Sequence, residues 1–300
     1  MRVHSKRLSR RFGRVLAGLA MLSLPLAANG MAAPAAPAVA PAVTAAPAVA
    51  LAPHRAVYDL KLLRSRGKRA LEQVRGRILY DFSGSSCEGY ALQFRQVSEL
   101  DSGEGKVALS DLRATTWEDG RAKSFRFNSQ NFVDRKPVDG VDGRAERDDG
   151  KVDVKLDKPA PKSFVVAKEL VFPTEHMRTI IEAARAGKSL VEVKVFDGSD
   201  GGEKIYETLT VIGAEIAPDD RKPTDAAAGK QELATLKRWP VTISYFDAAK
   251  KADGEQTPAY AISFELYENG ISRDLKLDYG DFVVGGEMSQ LEVKDAPACK

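Results

Sequence analysis

Cysteine and histidine are nearly absent: the 300 residues contain two of the first and three of the second. That excludes a zinc-finger array and a disulfide-dense miniprotein, which need many more ligands or bridges. The motifs of common chemistries are missing too. There is no His-Glu-x-x-His, Cys-x-x-Cys, Gly-x-Ser-x-Gly or Gly-x-x-x-x-Gly-Lys-Ser/Thr. Carboxylates are too scattered to single out a glycosidase pair. Aromatic residues make up only 7%, and Trp117, Phe125, Phe127, Trp239, Tyr245 and Phe246 lie in strand-like stretches where core packing explains them. No apolar run is long enough to promise a transmembrane helix. The expectation is a protein that is not an enzyme and carries no cofactor.

The N-terminus is basic, then apolar. Arg2, Lys6, Arg7, Arg10, Arg11 and Arg14 come without any acidic residue, and residues 15–24 are uncharged and mostly apolar up to Pro25. This order reads as a secretory signal peptide over residues 1–33, with cleavage open between Gly30-Met31-Ala32 and several later alanines. No cysteine follows the apolar run, so lipoprotein processing is excluded. Residues 34–53 are almost entirely Ala, Pro and Val, a composition that favours an extended linker. The folded domain is expected over residues 54–300.

The formal charge of +3 belongs to this leader. Its six basic residues leave 39 of the 45 against 42 acidic ones, so the remainder carries −3. A mildly acidic exported protein with no anchor after signal removal is not expected to bind nucleic acid. Its expected location is the periplasm.

Cys87 and Cys299 both fall in the exported part. An even count in an oxidising compartment predicts a disulfide. A bridge between positions so far apart removes up to about 5 kcal/mol of chain entropy from the unfolded state.

From residue 54 onward the dominant hydrophobic period is two. Strands are expected near 56–62, 76–82, 90–98, 107–117, 124–131, 152–156 and 163–166. After position 187 they are expected near 190–196, 205–212, 239–246, 260–267, 271–279 and 282–293. Turns such as Glu118-Asp119-Gly120 and Glu268-Asn269-Gly270 separate them and favour antiparallel hairpins. One stretch has a helical period: Met177, Ile180, Ile181 and Ala184 share a face. A helix is expected over residues 174–186, capped by Thr174 and closed by Gly187. The fold class is all-β with about a dozen strands. The cysteine tie favours one body over two.

Few residues invite a functional reading. His54 opens the first strand and reads as a surface or strand-edge residue; His176 reads as a structural residue of the helix's first turn. Asp197, Asp200 and Glu203, among glycines, form a weak candidate loop for a hard cation. They lack EF-hand spacing, and a polar hairpin turn is the simpler reading. Asp139, Asp142, Asp148 and Asp149 read as another acidic loop.

Several blocks carry a family likeness. His54-Arg55-Ala56-Val57-Tyr58-Asp59-Leu60, Gly76-Arg77-Ile78, Cys87-Glu88-Gly89-Tyr90 and Gln93-Phe94-Arg95-Gln96 resemble the EipB family of alphaproteobacterial cell-envelope integrity proteins, long grouped as a domain of unknown function. Phe172-Pro173-Thr174-Glu175-His176 and residues 196–202 resemble its later blocks, and Cys299 stands where its second cysteine is expected. The resemblance implies a periplasmic antiparallel β-spiral with a central helix, a Cys87–Cys299 disulfide, and a role in resisting envelope stress without an assigned enzymatic activity.

The leading expectation is therefore a non-enzymatic periplasmic protein that binds an envelope component or a partner protein. The alternative is a carrier of a lipid or other amphipathic ligand in a concave β surface. A cell-wall hydrolase ranks last.

Overall fold

The structure, a computed structural model, describes residues 49–66, 71–103, 105–218, 220–250 and 256–299. The expected signal peptide and most of the expected linker lie outside the described residues. Eight strands come first: β1 (His54–Ser65), β2 (Gln73–Ser85), β3 (Gly89–Asp101), β4 (Val107–Glu118), β5 (Ser124–Val133), β6 (Lys136–Asp148), β7 (Lys151–Lys158) and β8 (Lys162–Ala167). A two-residue strand β9 (Leu170–Val171) leads into helix α1 (Pro173–Arg185). Then follow β10 (Leu190–Val195), β11 (Tyr206–Ile212), the short helix α2 (Gln231–Ala234), β12 (Arg238–Asp247), β13 (Tyr260–Tyr267), β14 (Ser272–Asp278) and β15 (Phe282–Val293).

Alternation explains the strands. In β7, Val152, Val154 and Leu156 are buried while the lysines between and beyond them face solvent. The fifteen strands form one sheet in which β1 to β8 wind outward from the middle as successive antiparallel neighbours. The chain then crosses to the opposite edge through β9, and β10 to β15 wind back until β15 pairs with β1, His54 opposite Val293. The sheet nearly closes on itself, barrel-like, with β8 and β9 as its two edges. All pairs are antiparallel except the two-residue contact of β9 with β10.

Two segments differ from the sequence expectation. The stretch containing Asp139, Asp142 and Asp148, expected as an acidic loop, forms β6 (136–148), paired along both sides with β5 and β7; Asp149 lies in the turn that follows. The inward positions of β6 are Val141, Gly143 and Ala145, whose small volumes hide the alternation from a hydrophobicity count. The fold also begins earlier than residue 54: Val49 and Leu51 are buried among Phe82, Tyr90 and Ile180, and Ala52 N–H donates to the Asn269 carbonyl at 2.8 Å.

Helix α1 lies against the concave face. Ile180 and Ile181 are fully buried and pack with Trp239, Val241, Ile243 and Leu266 of β12 and β13, burial worth roughly 2–3 kcal/mol for each isoleucine. Its C-terminus closes on Gly187 in the left-handed region (φ +70°), with Gly187 N–H donating to Ala184 and Lys188 N–H to Ala183, a Schellman arrangement. The N-terminus corrects the expectation: Phe172, not Thr174, occupies the cap position. Phe172 has no side-chain acceptor, so the carboxyl of Glu118 on β4 accepts the Thr174 and Glu175 N–H groups at 2.7 and 2.8 Å. A residue 56 positions away thus caps the helix.

Candidate functional site

Between α1 and the concave face lies a cavity of about 380 Å³. Its apolar wall includes Phe82, Leu92 and Phe94 from β2 and β3, Ile243 and Ile262 from β12 and β13, and Met177 from α1. Wider grooves exist, but a groove of about 740 Å³ beside Glu192, Lys194 and Glu207 is open and rimmed by exposed charges that pair with each other. The cavity under α1 is the more recessed of the two and has the size of a ligand site.

Four polar elements converge on this cavity. His54 is 2% exposed, stacks on Tyr80 with ring centroids 5.4 Å apart, and bonds the Ala52 carbonyl through Nδ1 at 2.8 Å. Burial lowers its pKa from the ordinary histidine value. His54 is therefore a buried wall residue of the cavity rather than the surface or strand-edge residue expected from sequence, and the preceding chain joins it there through Leu51 and Ala52. His176 lies on α1, 4% exposed, and burial pushes its pKa down to about 4, so it is neutral at physiological pH. Tyr245 and Tyr260, 4.4 Å apart and stacked, form a third element, with Tyr206 edge-on to both. Burial raises the pKa of both stacked tyrosines. Asp197 is the fourth; burial raises its pKa while the Ser199 N–H, donated at 3.0 Å, opposes that.

Helix position sets this arrangement. Glu118 holds the first turn of α1, Arg147 of β6 bonds Glu175 at 2.9 Å, Arg178 donates to the Gly120 carbonyl at 2.7 Å, and Arg185 donates to the Glu268 carbonyl at 3.2 Å. These anchors come from both arms of the sheet. The β10–β11 connection adds another. Phe196 inserts among Phe125, Phe127 and Phe172, and Gly198 (φ +71°) lies against the Phe127 ring where a side chain would collide.

The loop that suggested a cation site does something else. Asp197 faces the cavity, Asp200 accepts from Lys204 at 2.5 Å and from the Tyr206 hydroxyl at 2.9 Å, and Glu203 pairs with Lys162. The three carboxylates point to three separate partners. Among the described residues no group of acidic, histidine or cysteine side chains is arranged to hold a metal ion. Cys87 and Cys299 are joined, their Cα atoms 5.6 Å apart, fastening the tail after β15 to the turn between β2 and β3.

Residues 45–295 match the model of the EipB-like family. The chain belongs to that family. Among its EipB-like relatives is the cell envelope integrity protein EipB of Brucella abortus (strain 2308), 40% identical over 255 residues that span 85% of this chain and 88% of the relative. A crystal structure of a β-barrel-like protein of a domain of unknown function, also from Brucella abortus, matches with a TM-score of 0.75 at 39% identity. The match covers 83% of this chain and all of that one. The EipB resemblance carried by the sequence blocks holds, and the expected all-β antiparallel fold with its helix is a fifteen-stranded sheet like that of the barrel-like neighbour.

The sequence reading did not find this site. His54, Tyr80, His176, Tyr245 and Tyr260 are scattered over about two hundred positions, and no spacing rule joins them. The available signal was their polarity at inward-facing strand and helix positions. Tyr80 lines the cavity with Phe82, as Tyr260 does with Ile262.

Proposed function

We propose that this chain is a non-enzymatic periplasmic protein that supports cell-envelope integrity by holding an amphipathic, lipid-like ligand in its interior cavity. The family and the name of its Brucella relative support the envelope role. The observation that carries the binding role is the concave cavity of about 380 Å³ between α1 and the sheet, walled by aliphatic and aromatic side chains with a few polar groups. A solid core would have filled that space. The barrel-like sheet supplies rigid walls, and the anchors on α1 keep it from collapsing inward.

Native mass spectrometry of protein released gently from the envelope tests this reading, together with Ile262→Trp, which places an indole in the cavity. Wild-type protein is expected to carry a co-purifying lipid. The variant is expected to fold, lose the lipid and fail to restore detergent and β-lactam resistance to a deletion strain. Wild-type protein free of lipid, with full complementation by the variant, would refute it.

A further inference from the structure

The polar groups of the cavity indicate which head group it takes; this inference rests on the ligand-binding reading and narrows it. His176 is 4% exposed and its Nε2 has no hydrogen-bond partner. In His54 the bond to the Ala52 carbonyl places the proton on Nδ1 and leaves Nε2 as an acceptor. Tyr80, Tyr245 and Tyr260 present hydroxyls in the same lining, and no hydrogen bond joins these hydroxyls to a described residue. Five side chains with unmet hydrogen-bonding capacity thus line one cavity. His176 Nε2 is the fully buried one, and native interiors rarely leave such an atom without a partner; the others belong to buried or half-buried residues of the same lining.

Charge is the other half of the argument. Among the twenty described residues that line the cavity, none is Lys or Arg. The first turn of α1, where backbone N–H groups would receive an anion, borders the cavity at Pro173 and Thr174, but Glu118 already occupies its donors. An anionic head would meet no cation and would face the Asp197 carboxyl. Among the described lining residues a cationic head would meet one carboxyl, Asp197, which already accepts the Ser199 N–H. A charge without a partner is costly to bring into such a space, whereas hydroxyl groups both donate and accept and suit histidine and tyrosine partners.

We propose that the cavity binds an uncharged amphipath, an aliphatic chain ending in hydroxyl groups, with those hydroxyls bonded to the histidines and tyrosines of the wall. The test compares 1-monomyristoylglycerol with myristate at pH 8, two ligands of equal chain length that differ in head-group charge. Each is titrated below its aggregation concentration into the delipidated exported protein and followed by calorimetry and native mass spectrometry. The neutral ligand is expected to bind at least about tenfold more tightly, the factor that one hydrogen-bond difference produces. Tyr260→Phe keeps the ring stack and removes one hydroxyl, and His176→Phe removes the imidazole; each is expected to weaken monomyristoylglycerol by about three- to tenfold and to leave myristate unchanged. Equal or tighter binding of myristate would overturn the head-group assignment while leaving lipid binding intact. Failure of both ligands to bind would overturn the ligand-binding reading itself.

Discussion

Glu118→Gln isolates the most unusual contact in the fold, a buried carboxyl that caps a helix from a distant strand. Glu118 is 1% exposed and accepts two backbone N–H groups from the first turn of α1. Burial raises its pKa to about 7 from the ordinary 4.5, and the two N–H donors hold it from going higher. Between those two values the native state holds a proton that the unfolded chain has released. The stability contributed by this group is therefore complete below pH 4.5 and falls as the pH rises through 7. The span of roughly 2.5 pKa units corresponds to about 3 kcal/mol. Glutamine cannot ionise, so the variant lacks this loss. Urea unfolding of both proteins from pH 4 to pH 8 gives the comparison, in which other titrating groups cancel. The stability of the variant relative to wild type is expected to improve by about 3 kcal/mol across that range. A difference that stays flat would mean that Glu118 is not sealed at the helix end, and the account of how α1 is held over the cavity would fail with it.

Two further outcomes follow from the same structure. The long connection between β11 and β12 docks through Asp225, which is 6% exposed, pairs with Arg273 and accepts the Met288 N–H at 3.1 Å. Asp225→Ala leaves the buried Arg273 guanidinium with Glu265 as its remaining carboxylate and the Met288 N–H without its acceptor, and is expected to cost about 2–3 kcal/mol in urea unfolding; a loss below about 1 kcal/mol would show that Glu265 alone suffices for Arg273. For the cysteines, alkylation without reductant followed by mass measurement is expected to label no thiol. Reduction is expected to destabilise the protein by up to about 5 kcal/mol, and two thiols labelled at once would remove the bridge.

The sequence by itself determined the local structure. Period-two alternation marked all but two of the strands, because a strand half-buried on one face must place apolar side chains at every second position. The 3.6-residue period marked α1 within one residue at each end, and Gly187 marked its close. The failures share a physical cause. Small inward residues such as Gly143 and Ala145 bury well but contribute little hydrophobicity, so β6 looked like a loop. The helix cap was misassigned to Thr174 because its real acceptor comes from β4. Only the tertiary structure brought His54, Tyr80, His176, Tyr245 and Tyr260 to one cavity. Pairing of β15 with β1 joins the two arms into one curved sheet that no local pattern encodes, and that junction sets which inward-facing polar groups share the cavity.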